Sequence, residues 1–99
     1  MSSSIVERRL VDVSERLKRL RADLGVTEEH LVFMEDEADD ARLRALVAET
    51  PLGEADAREA RRHADALGRQ RDSLARTIFE LEREQDSLLD RLAAARAGR

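Results

Sequence analysis

Apolar side chains recur along almost the whole chain in steps of four and three residues, forming two ladders. In the first ladder these positions are Val6, Leu10, Val13, Leu17, Leu20, Leu24, Thr27, Leu31, Met34, Ala38, Ala41, Ala45 and Ala48. In the second they are Ala57, Ala60, Ala64, Leu67, Arg71, Leu74, Ile78, Leu81, Gln85, Leu88, Leu92 and Ala95. A period of 3.5 residues keeps one face of a helix apolar and is typical of coiled coils.

A single short stretch separates the two ladders and carries the only proline of the chain, Pro51. Proline suits the first position of a helix, and Thr50 before it is a good N-cap. We therefore expect a turn at 49–50 and a second helix over 51–97. Two helices of matched length joined by a short turn predict an all-α fold, a long antiparallel two-helix coiled-coil hairpin that forms a single domain over 1–99.

The first helix is expected over 4–48, because Ser4 and Glu7 have the spacing of a capping box. One local signal disagrees with a continuous helix. Gly25 can end a helix, and Thr27 can cap a new one. The heptad phase nevertheless runs through this point unbroken, which favours one helix. A three-helix bundle with a break at Gly25 remains the alternative.

The ladders can pair in two registers that differ by one heptad. One register places Leu17 beside Leu81, and the other places Leu17 beside Leu88. We favour the first because its flanking pairs are mostly of opposite charge, and such pairs select register. Those pairs are Glu35–Arg61, Arg42–Glu54, Arg16–Glu84, Glu37–His63 and Arg44–Asp56. The second register offers Glu7–Arg96 and Arg21–Glu82 but brings several like charges together.

Composition narrows the class of function. The chain is 40% charged with a net charge of -4, and it has two aromatic residues and no cysteine. The interspersed charges argue against nucleic-acid binding, and no apolar run is long enough to cross a membrane. We expect a cytoplasmic protein that is not an enzyme, since neither a glycine-rich phosphate loop nor an arranged nucleophile is apparent.

The acidic run Glu35–Asp40 is the densest cluster of possible metal ligands. No histidine stands at a matching spacing to it. His30 and His63 both fall at positions that flank the seam, the line along which the two apolar ladders pack together. We interpret the run as a solvated acidic face, and we expect no metal and no cofactor.

Several apolar residues fall outside both ladders, so a two-helix seam would leave them uncovered. They are Val26, Val32, Phe33, Leu43, Leu46, Val47, Phe79 and Leu89. A small hairpin has little core of its own. One interpretation is a homodimer that buries these residues in a four-helix bundle. The other is a site for a protein partner, formed by Val32, Phe33, Leu43, Leu46, Val47 and Phe79.

The stretch from Asp36 to Val47, followed by Glu49-Thr50-Pro51-Leu52, resembles the small, uncharacterised coiled-coil proteins that are common in high-GC actinobacteria. That resemblance implies no activity. The hairpin is also similar in shape to transcript-cleavage factors that enter the secondary channel of RNA polymerase, although here the acidic run lies short of the tip.

A third similarity is to the streptomycete anti-sigma factor that binds cyclic di-GMP through the motif E-x3-S-x2-R-x3-Q-x3-D. The segment from Arg69 to Glu84 matches this motif at two positions, Ser73 and Arg76. The resemblance implies a related scaffold without the ligand. We therefore expect a coiled-coil module for protein–protein interaction, structural or regulatory. The alternative is a transcription regulator that binds a sigma factor or RNA polymerase.

Overall fold

The protein is all-α, and the computed structural model describes residues 3–98. Helix α1 spans Ser3–Ala48 and helix α2 spans Pro51–Ala97, and these residues contain no strand. The two helices form the expected hairpin, and their ends lie within one residue of the predicted bounds. Helix α1 continues through Gly25 without a break, so the three-helix alternative is wrong.

The turn consists of two residues, Glu49 and Thr50, and each end of it is capped. Glu49 adopts a left-handed conformation, with φ of 52°, and its N–H donates to the carbonyl of Ala45 at 3.0 Å. This is the αL motif, in which one residue past the helix satisfies a carbonyl of the last turn. Thr50 accepts the N–H of Gly53 on its Oγ1 at 3.1 Å, as an N-cap does. Together these bonds satisfy backbone groups that the helix ends leave open.

Contacts between the helices divide the hairpin into two compact units. One unit contains residues 3–23 and 74–98, and the other contains Leu24–Ser73 together with the turn. Each unit consists of one segment of α1 packed against one segment of α2. We refer to them as the terminal unit and the turn unit.

The seam lies where the heptad ladders predict it. The buried residues are Val6, Val13, Leu17, Thr27, Leu31, Ala38, Ala41, Ala45, Ala64, Ile78, Leu81 and Leu88, and all of them belong to the ladders. Among the ladder positions only Ala48 is exposed, because the chain turns away directly after it. The 3.5-residue period therefore identified the buried face of both helices.

Seam side chains differ in size between the two units. In the turn unit the α1 side of the seam ends in Ala38, Ala41 and Ala45. A Cβ added to Gly53 would lie 3.5 Å from the Cα of Ala45, so the two backbones approach closely here. In the terminal unit the seam is built mainly from leucine, isoleucine and valine. A two-residue turn requires this close approach, and only small side chains allow it.

Contacts made by short side chains identify the register. In the turn unit, Gly53 lies against Ala45, which agrees with the register that pairs Leu17 with Leu81. In the terminal unit, Gln85 Nε2 donates to Ser14 Oγ at 3.1 Å. A serine side chain reaches little beyond its own level, so Ser14 and Gln85 lie at nearly the same height. The other register would separate them by about 9 Å at 1.5 Å per residue.

The predicted flanking ion pairs are wrong, although the register that they were used to select is correct. Arg61 pairs with Asp39 at 2.8 Å instead of Glu35, and Glu84 pairs with Arg9 instead of Arg16. His63 lies 3.9 Å from Glu59 of its own helix, not near Glu37. Among residues 3–98 neither Arg42–Glu54 nor Arg44–Asp56 forms an ion pair. The pairs assigned to the rejected register do form, Arg21–Glu82 at 3.1 Å and Glu7–Arg96 at 3.9 Å.

The reach of long side chains explains this result. In the observed register Arg9 and Glu84 differ in height by about 7.5 Å, as do Arg21 and Glu82. Arginine and glutamate can bridge that offset diagonally along the helix surface. In the rejected register Arg9 and Glu84 would be about 18 Å apart in height, which the two side chains cannot span. Pairs of long charged residues are therefore compatible with offsets in either direction, and they identify register poorly.

The Arg9–Glu84 pair is expected to make a contribution to stability that depends on pH. Two hydrogen bonds join the side chains, at 2.5 and 3.0 Å. These bonds and the charge of Arg9 hold the pKa of the Glu84 carboxyl below its ordinary value. A depressed pKa contributes stability that is complete above the unfolded pKa of about 4.3 and is lost as the pH falls through the folded pKa.

We therefore expect Glu84→Gln to lower the unfolding midpoint slightly at about pH 7 and to have a smaller effect at about pH 3. Thermal unfolding followed by circular dichroism at both pH values measures the difference. Glu80→Gln is the control, because among the described residues Glu80 forms no ion pair. A deficit of Glu84→Gln that is equally large at both pH values would contradict the proposed linkage.

Candidate interaction surface

The outer face of α1, opposite the seam, carries most of the large hydrophobic residues that are exposed in the described part of the hairpin. Eleven large hydrophobic residues are exposed in residues 3–98, and eight of them lie on α1. Those eight are Ile5, Val11, Val26, Val32, Phe33, Leu43, Leu46 and Val47. Only Leu52, Phe79 and Leu89 lie on α2. The two helices therefore differ: α2 has a largely polar outer face, and α1 does not.

Five of the six residues predicted to bind a partner lie together on α1 in the turn unit. Val32 and Phe33 form one end of this surface, and Leu43, Leu46 and Val47 form the other. Phe33 is 61% exposed and Val47 is 87% exposed. The two ends are about 15 Å apart along the helix. We call these five residues the apolar surface of the turn unit.

Acidic side chains occupy the space between the two ends. The run Glu35–Asp40 is exposed throughout, apart from the seam residue Ala38. The Asp39 carboxylate forms an ion pair with the Arg61 guanidinium, with 2.8 Å between Oδ1 and Nη2. In the part of the chain that the structure describes, Glu35, Asp36, Glu37 and Asp40 form no ion pair. The surface therefore combines two apolar ends with an acidic centre whose carboxylates, apart from Asp39, are unpaired among the described residues.

Phe79, the sixth predicted residue, belongs to the terminal unit and is not part of this surface. It projects from α2 and is 60% exposed. The guanidinium carbon of Arg83 lies 5.9 Å from the centre of its ring, a distance at which a cation attracts the aromatic face. Arg83 therefore covers one side of Phe79, and we interpret this residue as a local pair on α2.

Sequence reasoning missed three exposed apolar residues: Ile5, Val11 and Leu52. Val11 occupies the same heptad position as Val32, and Ile5 occupies the same position as Phe33. Applying the heptad assignment to the whole outer face would have found both. Leu52 stands in the first turn of α2, beside the hairpin turn, where no heptad partner covers it.

Within residues 3–98, no group of three or more histidine and acidic side chains is arranged to hold a metal ion. His30 and His63 are both exposed, and they lie on different helices. In the same residues neither helix has an apolar stretch long enough to span a membrane.

Comparisons with known proteins give no relative. No protein-family model, no curated protein and no solved structure matches the chain.

Proposed function

We propose that the chain is a non-enzymatic coiled-coil module for protein–protein interaction in the bacterial cytoplasm and that it acts as a homodimer. The observation that supports this proposal is the division of apolar side chains between the two helices. A hairpin needs one apolar stripe on each helix, and α2 has little beyond that stripe. Helix α1 has a second stripe, which a monomer leaves in water.

Exposing the second apolar stripe of α1 to water is unfavourable, and a binding partner would bury it. Burying a valine, leucine or phenylalanine side chain contributes about 1.5–3 kcal/mol. A contiguous exposed apolar surface on a soluble protein commonly marks a site of interaction. The clustering of Leu43, Leu46 and Val47 within about one turn of α1 fits such a site better than a scatter of isolated residues would.

Light scattering coupled to size-exclusion chromatography tests the proposal. We expect a particle of about twice the 11.2 kDa of the chain at low micromolar concentration. The double variant Phe33→Ala/Leu46→Ala should shift this particle to the monomer and leave the helical circular-dichroism signal unchanged, because both side chains lie outside the seam. Phe79→Ala/Leu89→Ala is the matched control on α2 and should remain dimeric.

Two outcomes would contradict the homodimer. One is a wild-type chain that is monomeric at every concentration tested. The other is a dimer that the α1 variant leaves intact while the α2 variant dissolves it. A stable monomer would favour a different protein as the partner of α1, which is what the alternative hypothesis of a sigma-factor or polymerase regulator requires.

A further inference from the structure

The outer face of α1 in the turn unit consists of the three heptad positions that lie farthest from the seam. Between Leu24 and Ala48 these positions hold eleven residues, and all of them are exposed. Six are large and apolar: Val26, Val32, Phe33, Leu43, Leu46 and Val47. Four are acidic: Glu29, Asp36, Asp39 and Asp40. The eleventh is Gly25, so this face carries no basic residue.

Most of the carboxylates on this face have no cation beside them. Asp39 is paired with Arg61 of α2, whereas Glu29, Asp36 and Asp40 form no ion pair among residues 3–98. The two arginines of this segment of α1 stand at positions that flank the seam instead. Three unpaired carboxylates therefore lie among apolar side chains on one side of one helix.

The outer face of α2 in the same unit has a different character. Its outermost positions hold three arginines and three acids, so the two signs of charge balance. Leu52 is the one large hydrophobic residue that is exposed there within the described chain. The combination of apolar side chains with a single sign of charge is therefore specific to α1.

We propose that the outer face of α1 in the turn unit binds a basic amphipathic helix of another protein, and that this helix displaces the second copy from the homodimer. The inference rests on the proposed function, since it names the kind of partner that the same surface takes. The apolar side chains of the partner lie against the two apolar ends of the surface. Its lysine or arginine side chains pair with Glu29, Asp36 and Asp40.

Charge selects a basic partner over a second copy. Two copies that overlap along this whole face bring their acidic centres together, whether parallel or antiparallel, because Asp36, Asp39 and Asp40 lie between the two apolar ends. Like charges across an interface oppose association, whereas opposite charges favour it and speed it. A basic helix buries the same apolar side chains without that repulsion. The carboxylates also repel phosphate groups, which disfavours nucleic acid and anionic lipid as occupants.

The spacing of the apolar side chains selects a helical partner. Phe33 follows Val26 by one heptad, and Leu46 and Val47 follow Val32 and Phe33 by two heptads. Residues at seven-residue intervals form a nearly straight line along a helix, and a second helix lying alongside can follow that line. The line from Val26 to Val47 is about 32 Å long at 1.5 Å per residue. About three heptads of a partner helix therefore cover it.

Binding of synthetic peptides tests this partner. The probe is a fluorescent peptide of about 21 residues, three heptads with leucine at the a and d positions and lysine at the others. We expect its Kd for the wild-type chain, measured by fluorescence anisotropy, to rise about tenfold between roughly 0.05 and 0.5 M salt. A peptide with glutamate in place of lysine, and one with the same residues in scrambled order, should each bind at least about tenfold more weakly.

Two pairs of charge-removing substitutions locate the peptide on α1. Asp36→Asn/Asp40→Asn removes two of the unpaired carboxylates and should weaken peptide binding about fivefold. Asp56→Asn/Asp65→Asn is the control, because it makes the same change in net charge on α2 of the same unit, and it should bind the peptide as wild type does. Equal losses in the two variants would show that the peptide responds only to the net charge of the chain, which would overturn the proposal.

The apolar contacts are tested separately from the charges. Phe33→Ala/Leu46→Ala should weaken peptide binding at least about tenfold, since buried apolar anchors carry much of the energy of an interface. Phe79→Ala/Leu89→Ala should bind the peptide as wild type does. Unchanged binding by the α1 variant would mean that charge alone attracts the peptide, and it would overturn docking on the outer face of α1.

Light scattering of mixtures tests the displacement. A saturating excess of the basic peptide should convert the particle of two chains into one chain with one peptide. A complex that keeps two chains would overturn the displacement. Asp36→Asn/Asp40→Asn should also strengthen the homodimer while it weakens peptide binding, and a loss of folding cannot produce this pair of opposite effects.

The same measurements separate this inference from the homodimer. A wild-type dimer that does not bind the basic peptide would overturn the inference and leave the homodimer standing. A wild-type monomer that binds the peptide through the outer face of α1 would support the basic partner and overturn the homodimer.

Discussion

Replacing Leu17 with alanine should lower the free energy of unfolding by about 3 kcal/mol and the unfolding midpoint by roughly 15 °C. Leu17 is fully buried, at 0% exposure, and it faces Leu81 across the seam of the terminal unit. Truncation removes apolar atoms from the seam and leaves a cavity that the neighbouring side chains fill only in part. Because small domains are marginally stable, this single change should remove much of the stability of the hairpin.

Leu52→Ala is the matched control, because the same atoms are removed from a side chain that is 72% exposed. We expect the control to stay within about 0.5 kcal/mol of wild type. Thermal and urea unfolding should be measured at one protein concentration, since dimerisation makes the midpoint depend on concentration. Equal losses for the two variants would show that the seam around Leu17 does not carry the stability of the chain.

Helix limits and buried faces could be predicted here because both depend on local patterns. The heptad period marks the seam residues directly, since a helix turns by a fixed angle at each residue. Thr50 and Pro51 mark the turn because their backbone preferences are nearly independent of the rest of the chain. The continuity of α1 through Gly25 followed from the unbroken phase, which outweighed the helix-stopping preference of a single glycine.

Ion-pair partners could not be predicted, because they depend on the reach of flexible side chains. Arg9 bonds to Glu84 across an offset that simple pairing of neighbouring heptads excludes. Several acceptors lie within reach of each arginine on such a charged surface, and the energy differences between them are small. The short side chains of Ser14 and Ala45 report the register more reliably. Because both are uncharged, the pattern of charged pairs in the sequence could not reveal their contacts.

Much of the candidate surface could also be predicted, because an apolar residue outside the seam has no place to be buried within a hairpin. The sequence alone indicated Val32, Phe33 and the cluster around Leu46. The role of Phe79 was less apparent, because its separation from that cluster is a property of the fold. The occupant of the surface depends on a second molecule, so the sequence of one chain does not identify it.

The size gradient along the seam follows from the turn. Two residues join the helices, which holds Gly53 and Ala45 close together, and the backbones can separate only gradually beyond this point. Small side chains are therefore required in the turn unit, and larger ones fit the terminal unit. The gradient alone does not specify the register, because the rejected register would still place Ala41 against Ala64 and Ala45 against Ala60.

Replacing Ala38 with leucine should lower the free energy of unfolding by about 1–3 kcal/mol, although it adds apolar area. Ala38 is 1% exposed, in the part of the seam where alanine meets alanine. Three additional carbon atoms have no space there, so the helices of the turn unit must separate or the side chain must adopt a strained rotamer. Ala66→Leu is the control, because it adds the same atoms on the exposed face of α2 in the same unit.

Urea unfolding of the two variants at one protein concentration measures the difference. Ala66→Leu should be close to neutral, and Ala38→Leu should be clearly destabilised. Adding Met34→Ala to Ala38→Leu should recover part of the loss, since Met34 is the next seam residue of α1 toward the N-terminus and its truncation frees volume in an adjacent layer. A stable Ala38→Leu variant would mean that the helices already lie far enough apart for leucine, which would refute the close approach that a two-residue turn is expected to impose.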